Sequence, residues 1–338
     1  MKTKKLLALI LAAVLTAGVF GTVASAGEAA PAYTLKCAAQ TADIKLLEDL
    51  PDKIAEATGG QVALEFIEIS SLGTSEDALM MCKNGAIDMY FNSIIQTAAY
   101  YPVIGQAMSI PYLTLSPEEC RAAQYALLDG GYLEELYEDT VPLILACTDS
   151  QLFSFREKKV ESMDDFKGML IRSAGSLFGL MVQGTGASTV TIGMTDLYEA
   201  LEKKTVDGLH TSPQMMEPNA LYEVLKYTMN VELSWAGGLV MLINANSFDR
   251  LPEDLQEGVK AACKEEEDYI YSYQFENFHE KLESMQEKGL ELYDVSDEFK
   301  EELYALEVPC EEEAVRVMNE QGYDGEAIMQ TIHEAIGH

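Results

Sequence analysis

Apolar and polar residues alternate along this chain with two different periods, and the two periods take turns. From Tyr33 the apolar residues Tyr33, Leu35 and Cys37 interleave with Thr34 and Lys36, the two-residue period of a half-buried strand. Ile44, Leu47, Leu50, Ile54 and Ala57 then recur at helical spacing, and Gly59-Gly60 supplies a stop. Residues 62–67 read as a second strand, Ser71-Leu72-Gly73 as a turn, 75–84 as a helix ending at Gly85, and 87–91 as a third strand. Such strand-helix-strand alternation predicts a largely parallel sheet with helices on both faces.

The alternation resumes with strands near 143–147, 169–173 and 206–210 and helices near 177–183 and 195–203, so a second α/β unit is expected. Between the units, 111–116 reads as a loop leading to a helix over 117–128, with Ser116 as cap, Pro117 in the first turn and Glu119 completing a box-like start. After Trp235 the unbroken apolar run 237–244 predicts a fully buried strand passing between lobes. Leu251-Pro252 then opens a helical pattern that runs to about residue 288, where Gly289 is a natural stop. At ~1.5 Å per residue that helix spans ~54 Å, longer than one lobe, and could brace both. The chain shows no internal repeat and no low-complexity linker.

Length and termini refine this picture. Lys2, Lys4 and Lys5, an apolar run from Leu6 to Phe20 and Ala24-Ser25-Ala26 form the three-part pattern of a secretory signal peptide, with cleavage placed near Ala26. No cysteine precedes Cys37, so a lipid-modified cysteine at the cleavage point is not available. The roughly 312 remaining residues suit two lobes better than one core. Without the signal the chain carries twenty Lys and Arg against 56 Asp and Glu, a net charge of −36. That balance argues against a nucleic-acid partner. It reads as a solvated acidic surface, and it means that any cation meant for an anionic ligand must be placed deliberately.

Six cysteines (37, 82, 120, 147, 263 and 310) in an exported chain permit disulfides, but their scatter and apolar contexts favour small buried hydrophobes. His210, His279, His333 and His338 lack ligand spacing, and with no CxxC or HExxH neither a metal nor a cofactor is expected. No Gly-x-Ser-x-Gly, phosphate loop or GxGxxG marks an enzyme. The most informative stretch is Val160 to Ser173, where a capped turn leads into a strand ending at Arg172. Strand ends are where open α/β sheets bind ligands, and the guanidinium fork suits a carboxylate. From position alone, a salt-bridged surface arginine is an equal reading.

The segment Asp165-Phe166-Lys167-Gly168-Met169-Leu170-Ile171-Arg172 resembles the "D-x-K-G-x-x-x-R" signature of the DctP-like solute-binding proteins of tripartite ATP-independent periplasmic (TRAP) transporters. Other stretches match that family in order: Thr58-Gly59-Gly60-Gln61-Val62, Leu72-Gly73, Lys83 to Asp88, Ile110-Pro111-Tyr112-Leu113, Asp196 to Leu201, Val206-Asp207-Gly208, Tyr222 to Tyr227, and Leu251-Pro252. The resemblance implies a two-lobed periplasmic-binding-protein-like α/β fold, each lobe a mixed, mostly parallel sheet flanked by helices, with a long helix bracing both. It implies lobe I as 33–149 plus 238–277 and lobe II as 150–237 plus 278–338, after the signal peptide 1–26. Expected partners are a small organic carboxylate and two membrane subunits, a small DctQ-like and a large DctM-like one. The expected site of action is the periplasm, with the protein a monomer.

On the same resemblance Arg172 matches the arginine that pairs with the ligand carboxylate. Leu152 stands where many members have a second arginine, Thr211 where an asparagine is common, and Ser93 where an acidic position is. Gln40 and Met194 fall near the implied pocket, and Tyr90, Phe178 and Trp235 could line it, although each is more often ordinary core. Such a pocket suits a monocarboxylate with an apolar or aromatic body. Two other readings stay open. One is a binding protein of an ATP-driven importer or other periplasmic receptor, from which the long helix discriminates; the other is an exported enzyme, which would need a nucleophile or metal constellation.

Overall fold

The strands fall into two sheets, and the helices pack around them. In the computed structural model, which describes residues 30–337, the strands are β1 (Tyr33–Ala39), β2 (Val62–Glu68), β3 (Met89–Ser93), β4 (Thr140–Ala146), β5 (Leu152–Phe155), β6 (Leu170–Arg172), β7 (Ser188–Val190), β8 (Gly208–Thr211), β9 (Tyr227–Glu232), β10 (Leu239–Asn244) and β11 (Glu291–Tyr293). The segment read as an export signal lies outside the described residues. Lobe I holds the sheet β2-β1-β3-β10-β4, and lobe II the sheet β11-β9-β5-β8-β6-β7. The pairs β1–β2, β1–β3, β6–β7 and β6–β8 are parallel, while β10 in one sheet and β5 in the other run antiparallel to both neighbours.

Apart from the edge strand β11, the two orders are the same, with β1, β2, β3, β10 and β4 matched by β6, β7, β8, β5 and β9. The match extends to single hydrogen bonds. Asp88, just before β3, accepts from the Lys36 amide of β1 (3.0 Å) and donates its own amide to the Lys36 carbonyl. Asp207, just before β8, does the same with Leu170 of β6, at 2.8 Å in each direction. The turn ahead of each aspartate needs a left-handed residue, supplied by Gly85 (φ 77°) in lobe I and by Lys204 (φ 62°) in lobe II. The chain therefore carries a structural repeat that its residues do not display.

Every residue of β10 is buried, as expected of a strand covered on both faces. Two short crossings join the sheets, from β4 to β5 and from β9 to β10, and lie side by side; a third passage, from β10 to β11, is made by the long helix. The Thr148 amide donates to the Ala236 carbonyl (2.9 Å) and the Leu233 amide to that of Gln151 (3.0 Å). One helix expected across Ile44 to Ala57 is instead two, Thr41–Leu46 and Leu50–Ala57. Pro51 explains the break, since it has no amide to donate and sits comfortably only in a first turn.

The long helix is Glu253–Glu287, 35 residues. On lobe I, Glu266 pairs with Lys53 (2.7 Å), and Glu267 accepts from the Leu145 amide and the Tyr125 hydroxyl, both at 2.8 Å. On lobe II, Glu217 gathers Lys281 (2.6 Å), Lys288 (2.7 Å) and Ser284 (2.8 Å), and these partners draw its pKa down to about 2. The helix thus fastens to both sheets. Beyond it, the helix Glu307–Glu320 rests on the lobe II helix Ser176–Gly184 and the lobe I helix Pro102–Ala107, and Gly325–Ile336 packs on Pro117–Asp129 of lobe I. We keep 33–149 plus 238–277 and 150–237 plus 278–338 as a proposed division, drawn by the sheets rather than by these last helices.

The brace lies close against lobe I at Gly258, where an added Cβ would stand 2.7 Å from the Ala57 carbonyl oxygen. Gly258→Ala would gain up to ~1 kcal/mol in helix propensity yet is expected to destabilise the protein by about 1–3 kcal/mol, because a backbone contact cannot rotate away. Urea unfolding would measure this, and a more stable alanine variant would refute the close approach.

Candidate functional site

Arg172 ends β6 and is 8 % exposed. Its Nε donates to the Ile192 carbonyl (3.0 Å), which fixes the head of the side chain through a dipole rather than a charge. Burial alone shifts its pKa, downward, and no carboxylate contributes. Removed from water and, among the described residues, without a counter-ion, the guanidinium keeps donors to offer an anion. Register pairs Arg172 with Leu209 and Leu152 with Thr211. Since alternate residues of a strand share a face, Arg172, Leu152 and Thr211 share one side of the lobe II sheet. Met194 starts the helix Met194–Glu202, two residues beyond the carbonyl that holds Arg172, and is half-buried.

The other side of this strand end holds side chains that the sequence reading passed over. His210 lies between Ser173 and Gln151 and stacks on Phe178, ring centroids 4.8 Å apart. Metal-ligand spacing does not point to His210; the sequence signal for it is its place inside Asp207-Gly208-Leu209-His210-Thr211, beside the implied pocket.

Lobe I contributes a polar wall at the ends of its own parallel strands. Gln40 Nε2 donates to Asn92 Oδ1 (3.0 Å) and Asn92 Nδ2 to Ser75 Oγ (2.9 Å). The half-buried Ser93 follows, its amide bonded to Asn92 Oδ1 at 2.8 Å. A cavity of about 550 Å³ opens here, lined by Gln40, Thr41, Glu68, Ser70, Gly73 and Ser75 among others. Glu68 is engaged by the hydroxyls of Thr41 (2.9 Å) and Ser70 (3.4 Å). Sequence reasoning named Gln40 and Ser93 but not Asn92, which joins them. Tyr90 and Trp235 are not brought to an accessible wall. Tyr90 is buried in the lobe I core, and Trp235, with its indole N–H on Glu232 (2.6 Å), packs against Phe275 and Phe278 of the brace.

One further acid sits in the first crossing. Asp149 is 6 % exposed and accepts from the Gln214 amide (3.3 Å) and from Ser212, immediately after Thr211. Burial outweighs these bonds and lifts its pKa to about 7.

Two sheets of matched order, joined by paired crossings and braced by one helix, define the two-lobed α/β solute-binding class of fold. The chain belongs to DctP, bacterial extracellular solute-binding protein family 7, whose profile matches residues 36–313. It is 30% identical over 218 residues, 63% of this chain, to the uncharacterized protein y4mM of Sinorhizobium fredii, and it spans only 39% of that relative's length. It is 22% identical to the C4-dicarboxylate-binding periplasmic protein DctP of Rhodobacter capsulatus, over 72% of each chain. Among solved structures, a TRAP periplasmic solute-binding protein from Desulfovibrio salexigens superposes with a TM-score of 0.81 at 20% identity, covering 90% of this chain and 95% of the other. A marine metagenome TRAP solute-binding protein specific for aromatic acids gives 0.78 at 18% identity, covering 90% and 98%. One from Rhodoferax ferrireducens with copurified benzoate gives 0.77 at 20%, covering 90% and 97%.

Asp149 generates a pH prediction. Its folded pKa lies above the ordinary 3.8, so its stabilising contribution is full below that value and is lost as pH rises through about 7. Asp149→Asn, which cannot ionise, should match the parent in stability at pH 4 and exceed it by about 1–3 kcal/mol at pH 8. Urea unfolding at both pH values checks this; an asparagine variant weaker at pH 8 would mean that the ionised form is held favourably.

Proposed function

We propose that this chain is the solute receptor of a TRAP-type transporter. It captures a small monocarboxylate between its lobes and hands it to a small and a large membrane subunit after export. The observation that carries the reading is Arg172, desolvated, fixed by a carbonyl and, among the described residues, paired with no acid, in a protein with net charge −33. A buried cation without a counter-charge is unfavourable until an anion arrives, and a carboxylate matches its fork. A single such group accommodates a single carboxylate. Met194, half-buried on the helix that follows the carbonyl holding Arg172, suits an apolar or aromatic body, and the polar group of Gln40, Asn92 and Ser93 suits a neutral hydroxyl or carbonyl at the far end. The aromatic acid and benzoate bound by two of the structurally similar proteins are in keeping with such a ligand.

Thermal unfolding of residues 27–338 against a panel of aromatic, aliphatic and 2-oxo monocarboxylates, with dicarboxylates as contrast, tests this. Stabilisation by one or a few monocarboxylates is expected, because a ligand that binds only the folded state must raise its stability. For a responding acid, Arg172→Ala should weaken binding by at least about 2 kcal/mol, roughly thirtyfold in Kd. A panel without response, or an unchanged Kd in the variant, would defeat the assignment.

A further inference from the structure

Behind Arg172 lies a cluster that the reading above leaves without a role. His210 is fully buried, with Nε2 2.7 Å from Ser173 Oγ and Nδ1 2.7 Å from Gln151 Oε1. The Gln151 oxygen can only accept, so Nδ1 carries the ring proton, and Nε2 accepts from the Ser173 hydroxyl. The imidazole lies nearly parallel to Phe178, at 18°, and meets Phe153 edge-on at 6.1 Å. Burial first and Arg172 second hold its pKa at about 3, so it stays neutral at physiological pH.

Each partner belongs to a different piece of the binding apparatus. Ser173 directly follows Arg172 at the end of β6; Gln151 is in the first crossing, bonded to Leu233 of the second; Phe178 lies on the helix Ser176–Gly184. Gln151 needs a donor while the Ser173 hydroxyl takes either role, so a neutral imidazole that donates at Nδ1 and accepts at Nε2 satisfies both polar partners without a charge. An ionised carboxylate would leave the Gln151 oxygen without a donor, and a lysine or arginine would set a second cation beside Arg172.

We infer that His210 is a positioning residue for anion capture, fixing the strand end that carries Arg172 to the interlobe crossing at Gln151 and to the aromatic wall at Phe178. The guanidinium is thereby aimed before the ligand arrives, which lowers the ordering that binding would otherwise require. The inference rests on Arg172 being the carboxylate partner.

The test uses residues 27–338 carrying Ser173→Ala, Ser173→Thr or Arg172→Ala, with benzoate and the panel acid giving the largest thermal shift as probes. Ser173→Ala should weaken binding about two- to tenfold, the range for one lost buried hydrogen bond, with the ligand-free melting temperature nearly unchanged. Ser173→Thr, which keeps the hydroxyl, should restore affinity. Nitrogen-15 spectra of labelled histidine should show His210 protonated at Nδ1 and bare at Nε2 from pH 5 to 8. Unchanged binding in Ser173→Ala while Arg172→Ala abolishes it would overturn the inference alone. So would a joint loss of affinity and melting temperature without rescue by threonine, or a proton on Nε2. A parent protein that binds none of the acids would bring down the reading of Arg172 and this inference with it.

Discussion

The arrangement turns on a buried positive charge, Arg172, that has no negative partner among the described residues. In a chain where acids outnumber bases 56 to 23, leaving Arg172 without a carboxylate is a constraint on everything near it. A desolvated guanidinium is tolerated only when dipoles and geometry hold it, and here the Ile192 carbonyl, the β6 strand end and the tightly packed side chains behind it do so. The acidic exterior and the buried Arg172 act at different distances. Exposed carboxylates are screened by salt within roughly 10 Å, whereas the half-dry surroundings of Arg172 let its charge act on whatever enters beside it.

That charge is useful only if the two sheets keep a defined relation, and three devices supply it. The paired crossings bond to each other, so neither strand can move alone. The brace is held to lobe I by Glu266 and Glu267 and to lobe II by Glu217, with apolar contacts from Phe275 and Phe278 to Trp235 between. The final helices touch both lobes. Buried carboxylates that accept backbone or lysine protons fix register more than they add stability, since desolvation offsets much of the attraction.

The matched sheets make the asymmetry of the site informative. Counting from the amides bonded by Asp88 and Asp207, Lys36 and Leu170 are equivalent, so Arg172 stands where lobe I has Ala38. Corresponding strand ends carry a cation in one lobe and neutral amide and hydroxyl groups in the other. A repeat of backbone has been kept while its chemistry diverged, which is why β1 and β6 look unrelated as strings of residues.

Periodicity sufficed for the two α/β units, for the buried strand β10 and for the long helix, because those features follow from which residues shun water at what spacing. It misjudged the first helix only where Pro51 overrode the apolar pattern. Resemblance to a family motif singled out Arg172, Gln40, Ser93 and Thr211. Nothing along the chain could pair Asn92 with Gln40, 52 residues apart, or set His210 between Ser173 and Gln151, since hydrogen bonds between distant residues leave no local period. Nor could it place Trp235 under the brace, because the sequence gives burial as a tendency and not a neighbour. The chain by itself determined its elements, and a family motif within it marked Arg172; only the folded structure decided which residues surround that arginine and that, among the described residues, no acid is paired with it.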